Sequence, residues 1–125
     1  MTFKWKNFHP KSKEIWQINL SDIDAEGHEQ KGDRPCMIIR EFPLNELVLI
    51  IPITGELTIN NRFSFTALIK KDDGNGLKCD SVALIFQIKS VSKNRLRYQI
   101  GRINNSQYDE IKVQIKEMFG FEIKL

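Results

Sequence analysis

The chain has 125 residues, 41% of them hydrophobic and 28% charged, and a formal net charge of +3; these values exclude a disordered, collagen-like or membrane-spanning polypeptide. At this length one domain, residues 1–125, with one modest core is expected, folding burying roughly two thirds of the unfolded chain's surface. The longest apolar stretch, Leu47-Val48-Leu49-Ile50-Ile51, stops at Pro52, far short of a membrane span. The start, Met1 to Lys6, has no apolar signal core, so a cytoplasmic location is expected.

Trp16, Ile18 and Leu20 alternate with Gln17 and Asn19, the period of a half-buried strand. A polar loop then runs from Ser21 to about Arg34, longer than an ordinary hairpin connection and of a length that commonly carries function. Its second half, Gly27-His28-Glu29-Gln30-Lys31-Gly32-Asp33-Arg34-Pro35, sets an imidazole, two carboxylates, an amide, an ammonium and a guanidinium beside two glycines. Cys36 to Arg40 and Leu47 to Ile53 read as paired, buried strands around a turn at Glu41 to Glu46, and Phe63 to Ile69 alternates as another strand. Asp72-Asp73-Gly74-Asn75-Gly76 is a turn, since glycine and asparagine accept positive φ cheaply.

Asp80 to Ile88 reads as a central strand and Arg97 to Ile103 as a shorter one. Only the end reads as helix. Ser106 supplies an N-cap with Asp109 three residues on, and Tyr108, Ile111, Ile115, Met118 and Phe119 recur at helical spacing before Gly120. That stripe predicts a core or dimer face. The chain therefore reads as mainly β with one terminal helix.

Cys36 and Cys79 both sit in apolar or strand-like sequence, so buried thiols are expected ahead of a disulfide or a nucleophile. His9 and His28 are the only histidines, and no spacing suggests a zinc site or any other metal. From Ser81 through Tyr108 there is no Asp or Glu, while Lys89, Lys93, Arg95, Arg97 and Arg102 all fall inside that window. Such a stretch is either a solvated hairpin or a face for a polyanion.

The stretch from Gly27 to Pro35 resembles the first conserved loop of the MazF/PemK family, the ribonuclease toxins of bacterial toxin-antitoxin pairs, with Gly27, Glu29, Gln30, Gly32, Arg34 and Pro35 matching. Glu14 to Leu20 resembles that family's first strand, Pro52-Ile53-Thr54-Gly55 the end of its third, and Gly76 to Val82 followed by Gln87 to Val91 a later block. Together these cover about Glu14 to Phe119. The resemblance implies a small antiparallel, SH3-like β-barrel of the CcdB/PemK type with a C-terminal helix, usually a homodimer. It also implies cleavage of single-stranded mRNA at a short motif without cofactor, and a cognate antitoxin protein as partner.

On that reading the 2′-hydroxyl of RNA attacks the adjacent phosphorus while a base removes its proton and an acid protonates the departing 5′-oxygen. Arg34 is the candidate to hold the phosphate, because its planar guanidinium donates two parallel hydrogen bonds and stays protonated. Thr54 would donate a hydroxyl to the same phosphate, or else satisfy the backbone at a strand end. Glu29 and His28 are the candidates for proton transfer, with a loop-shaping carboxylate and a solvated imidazole as the alternatives. Gln30, Lys31, Arg62, Gln87 and Lys89 are candidates for RNA contact, reading falling to the loop Leu57 to Arg62 and the basic stretch. Trp5 and Trp16 could stack bases, Trp16 reading as core first.

One departure bears on mechanism. Several relatives carry an acid directly before the glutamine matching Gln87 and an arginine three residues before it, where this chain has Phe86 and Leu84, both expected to be buried. The arrangement around Arg34 and Thr54 stays open, beside two other readings: a non-enzymatic, CcdB-like gyrase poison, and an RNA-binding module that has lost cleavage.

Overall fold

A computed structural model describes residues 8–21 and 32–120. The candidates His28, Glu29, Gln30 and Lys31, and with them Gly27 and Trp5, lie outside the described residues.

In chain order the elements are β1 (Glu14–Asn19), β2 (Asp33–Phe42), β3 (Leu47–Thr54), the short helix α1 (Ile59–Arg62), β4 (Thr66–Ile69), β5 (Ser81–Leu84), β6 (Lys89–Ser92), β7 (Leu96–Arg102) and α2 (Asn105–Met118). The strands form a single antiparallel sheet in the order β4-β5-β3-β2-β1-β7. β3 is the organising strand: its first half pairs with β6 and its end with β5, so the sheet curls there into a small barrel. Mainly β with a C-terminal helix is the architecture expected from the sequence.

Both faces of the sheet carry buried side chains, as the nearly continuous apolar run of β3 requires. On one face Ile15, Met37 and Ile51 lie directly opposite one another and pack with Ile53, Ile69, Ile85 and Ile103 beneath Tyr108 and Ile111 of α2. On the other, Ile18, Leu20, Cys36, Ile38, Val48, Ile50, Val91 and Leu96 pack together, with Phe8 and the half-buried Trp16 stacked against them. Each such aliphatic side chain contributes about 1.5–3 kcal/mol by leaving water. Gln114 of α2 donates to the Thr66 carbonyl at 3.0 Å, which fixes the helix along β4. Phe119, the last residue of the predicted stripe, is 58% exposed.

Four expectations need correction. The central strand ends at Leu84, since Ile85–Gln87 tightens into a 3-10 turn before β6, so the apolar run 80–88 is a strand, a turn and the approach to a second strand. The strand expected from Phe63 begins only at Thr66, because α1 precedes it and Phe65 takes a φ of 59° that breaks extension. The cap of α2 is Asn104, whose Oδ1 accepts the Gln107 N–H at 2.8 Å, in place of Ser106. Cys79 is exposed; only Cys36 is buried. A thiol reagent should therefore titrate one cysteine in the native protein and both in denaturant, and two fast native thiols would contradict the fold's placement of Cys36.

The turn before β5 is the most tightly built connection. The fully buried Asn75 accepts the Leu77 N–H at 3.0 Å and the Asp72 N–H at 3.2 Å and donates to the Lys70 carbonyl at 2.8 Å, while the Asp72 carboxylate accepts the Asn75 N–H at 2.7 Å. The turn presses onto β7: the Arg102 N–H reaches the Gly74 carbonyl, and a Cβ on Gly101 would lie 2.5 Å from the backbone of Gly74 and Asn75. Asn75→Ala strands buried backbone donors and a carbonyl, so a loss of about 2–3 kcal/mol is expected, read as a melting temperature lower by about 6–12 °C.

Candidate active site

Arg34 lies in β2 directly opposite Ile18, with Cys36 two residues on opposite Pro52 of β3. Continuing that antiparallel register brings Arg34 level with Thr54, the last residue of β3. The two candidates for phosphate contact thus share one end and one face of the sheet although separated along the chain. Thr54 is 6% exposed, and its Oγ1 accepts the Glu56 N–H at 3.2 Å. That bond serves the backbone, as one reading of this residue expected, and leaves the hydroxyl proton to donate.

Lys89 stands further along the sheet, paired with Ile50 of β3, and its charge and that of Arg34 both act on Cys36. Burial pushes the Cys36 thiol up to about 12, the two cations lowering it only in part, so this sulfur is inert. Lys89 also lines a small cleft of about 300 Å³ with Leu20, Ser90, Ser92 and Arg95.

Arg34 and Pro35 border a larger cleft of about 510 Å³ whose other walls include Gln17, Lys78, Tyr98 and Gln99. Ile53 and Gly55, on either side of Thr54, line it as well. Cys79 lines the same cleft, and its Sγ would lie 3.1 Å from a Cβ on Gly55, so a side chain there would have to push the cysteine aside by a few tenths of an ångström. The sequence reading did not single out Gln17, Lys78, Tyr98 or Gln99. The strand order places them: β7 lies beside β1, and β1 beside β2.

The described base of the loop carrying His28 and Glu29 is tied down. The Leu20 N–H donates to the Gly32 carbonyl at 2.8 Å, and Arg95 Nη1 donates to the carbonyls of Asn19 at 3.2 Å and Ser21 at 2.9 Å. Arg95 is thereby half-buried and structural, while Lys93, also counted in the basic window, is 3% exposed and paired with Glu41. Arg62 ends α1, exposed, with its guanidinium over the Phe63 ring, and Gln87 is half-buried in the turn after β5. Neither lines either of these clefts.

Leu84 is fully buried with Ile59 and Val82, and the half-buried Phe86 stacks on Phe63 with ring centroids 5.4 Å apart. The positions that hold a charged pair in some relatives are here a small apolar cluster.

A family profile described as PemK-like, MazF-like toxin of type II toxin-antitoxin systems matches residues 11–119. The chain is 30% identical over 107 residues to an endoribonuclease MazF of Staphylococcus saprophyticus, covering 82% of this chain and 88% of that protein. It is 25% identical over 111 residues to endoribonuclease MazF9 of Mycobacterium tuberculosis, covering 82% and 90%. Its fold matches MazF from Deinococcus radiodurans with a TM-score of 0.72 at 19% identity, over 91% of this chain and 99% of that one. A mycobacterial endoribonuclease in complex with its cognate antitoxin matches with a TM-score of 0.66 at 13% identity, over 93% and 100%. With a profile match from residue 11 to residue 119 and the same barrel, the chain belongs to the PemK-like, MazF-like toxin family of type II toxin-antitoxin systems.

Proposed function

We propose that this chain is an endoribonuclease toxin that cuts single-stranded mRNA by attack of the RNA's own 2′-hydroxyl, without a metal ion. The observation that carries this reading is the register of β2 on β3, which continued past Cys36 and Pro52 brings Arg34 level with Thr54, with Arg34 on the border of an open cleft. The Arg34 guanidinium holds two phosphate oxygens and offsets the charge that builds as the 2′-oxygen bonds to phosphorus. Thr54 donates its hydroxyl proton to the same group. Glu29 and His28, on the loop whose base Arg95 ties down, divide the roles of base for the 2′-hydroxyl and acid for the 5′-oxygen. The bond to the 5′-oxygen breaks as the 2′,3′-cyclic phosphate closes.

Gln30, Lys31, Lys89, Arg62 and Gln87 are proposed as RNA contacts beyond the reacting phosphate. The protein works as a homodimer in the cytoplasm and is held inactive by a cognate antitoxin, whose acidic segment covers the basic groove. Two named relatives are endoribonucleases, and one solved neighbour is bound to its antitoxin, which supports this reading.

One observation favours a second reading. The apolar cluster at Leu84 and Phe86 replaces a charged pair used by some relatives, which suits an RNA-binding module without cleavage. Incubating the purified protein with a long single-stranded RNA and with its 2′-O-methylated copy separates the two. Discrete cuts in the first and none in the second are expected; RNA that is bound but intact would favour the module.

A further inference from the structure

The larger cleft continues past Arg34 to a second group of side chains. Gln17 of β1 lies directly opposite Pro35 of β2 and directly opposite Tyr98 of β7. Three strands thus carry one row, Pro35, Gln17 and Tyr98, about 10 Å across at ordinary strand spacing. Register shifts in the pairing of β1 with β7 fall on both sides of this row, leaving Ile100 and Arg97 as the extra residues. Bulges of this kind re-aim side chains and are common beside active sites.

Tyr98 is 60% exposed although it stands in the wall of a formed cleft. Among the described residues no ring stacks on it, and the Gln17 amide has no hydrogen-bond partner there, which leaves that amide's donor and acceptor for a ligand. Gln99 differs: its Nε2 turns back to the Gly101 carbonyl at 3.3 Å, so it is wall. The wall beside it is closely packed, since the turn held by Asn75 presses Gly76 against Ile100 of β7, where a Cβ would lie 2.3 Å from the carbonyl oxygen. Lys78 adds a cation to the same cleft.

We propose that Tyr98 and Gln17 form a base-recognition subsite for single-stranded RNA, beside the nucleotide whose phosphate Arg34 holds. The subsite rests on the endoribonuclease reading above. One unpaired base stacks on the Tyr98 ring, and the Gln17 amide reads its edge, donating and accepting in the plane as base edges require. A peptide fits less well: an open aromatic face, a free amide and two cations in one cleft suit a stacked base with its phosphate.

The test uses the full chain in four forms: wild type, Tyr98→Phe, Tyr98→Ala and Gln17→Ala. Cut sites on a long single-stranded RNA are mapped by sequencing the new 5′ ends, and binding of an uncleavable 2′-O-methylated oligonucleotide is followed by fluorescence anisotropy. Tyr98→Ala is expected to raise KM and the oligonucleotide Kd by about 5- to 100-fold, the range of one lost base stack, with kcat little changed. Tyr98→Phe keeps the ring and should behave as wild type, and Gln17→Ala should cut at a relaxed motif, degenerate at one position. Wild-type binding and cutting by Tyr98→Ala, or an unchanged motif in Gln17→Ala, would overturn the subsite. If the wild type binds but never cuts, the cleavage reading fails while the binding comparison still decides the subsite; if it neither binds nor cuts, both fail.

Discussion

Replacing Arg34 with alanine should lower kcat/KM for RNA cleavage by about 10²–10³-fold, the cost of removing one preorganised donor from a site of developing negative charge. In the proposed mechanism Arg34 and Thr54, level in the continued register of β2 and β3, donate to one phosphate, so losing either leaves the other with a weaker hold. Arg34→Lys should recover only part of the activity, because an ammonium keeps the charge and loses the two-pronged geometry. Arg34 is half-buried near the start of β2, so neither change should alter the melting temperature greatly. Initial rates on a fluorogenic RNA, measured beside thermal melts, check both points; full activity in the alanine variant would remove Arg34 from the mechanism.

The largest effect on stability is expected at Lys93. Its Nζ donates to Glu41 Oε2 at 2.6 Å and to the Phe8 carbonyl at 2.9 Å, and it lies 5.7 Å from the centre of the Phe8 ring. His9 reaches the same carboxylate at 2.9 Å. Lys93→Met leaves the half-buried Glu41 carboxylate with His9 alone, which should cost about 3 kcal/mol, the low end for a broken buried pair, and lower the melting temperature by about 10 °C. Adding Glu41→Gln should restore part of the loss, because the uncompensated charge is then gone.

The pH dependence follows from the same carboxylate. Burial alone would raise the Glu41 pKa, but the hydrogen bonds and charges of Lys93 and His9 together outweigh it and hold the group below its ordinary value of 4.5. Glu41 is depressed in the folded state, so the stability it contributes is complete above about 4.5 and is lost as pH falls through the lower folded value. Denaturant melts between pH 3 and 6 should show that slope in the wild type and a flatter one in Lys93→Met.

What could be read from the sequence was local. The alternation in β1, the apolar run of β3 and the spacing of Tyr108, Ile111 and Ile115 in α2 each carry their own period, and Arg34 stands in a compact motif. What could not be read depends on distant partners. Lys93 looked like one more surface cation until the fold supplied Glu41, 52 residues away. Tyr98 enters the cleft wall only because β7 lies beside β1, which no spacing within β7 announces. The strand at 80–88 was overextended because an apolar run gives no sign of the bend at Ile85, which a buried 3-10 turn satisfies as well as a strand does.

The most direct test of the proposed chemistry is the structure of the new RNA ends. Wild-type protein should cut a long single-stranded RNA in the presence of EDTA and leave 5′-hydroxyl ends, which a polynucleotide kinase labels without prior phosphatase, beside 2′,3′-cyclic phosphates that Arg34→Ala does not produce. RNA left intact in EDTA, or cut to 5′-phosphate ends, would contradict attack by the 2′-hydroxyl at a metal-free Arg34 site.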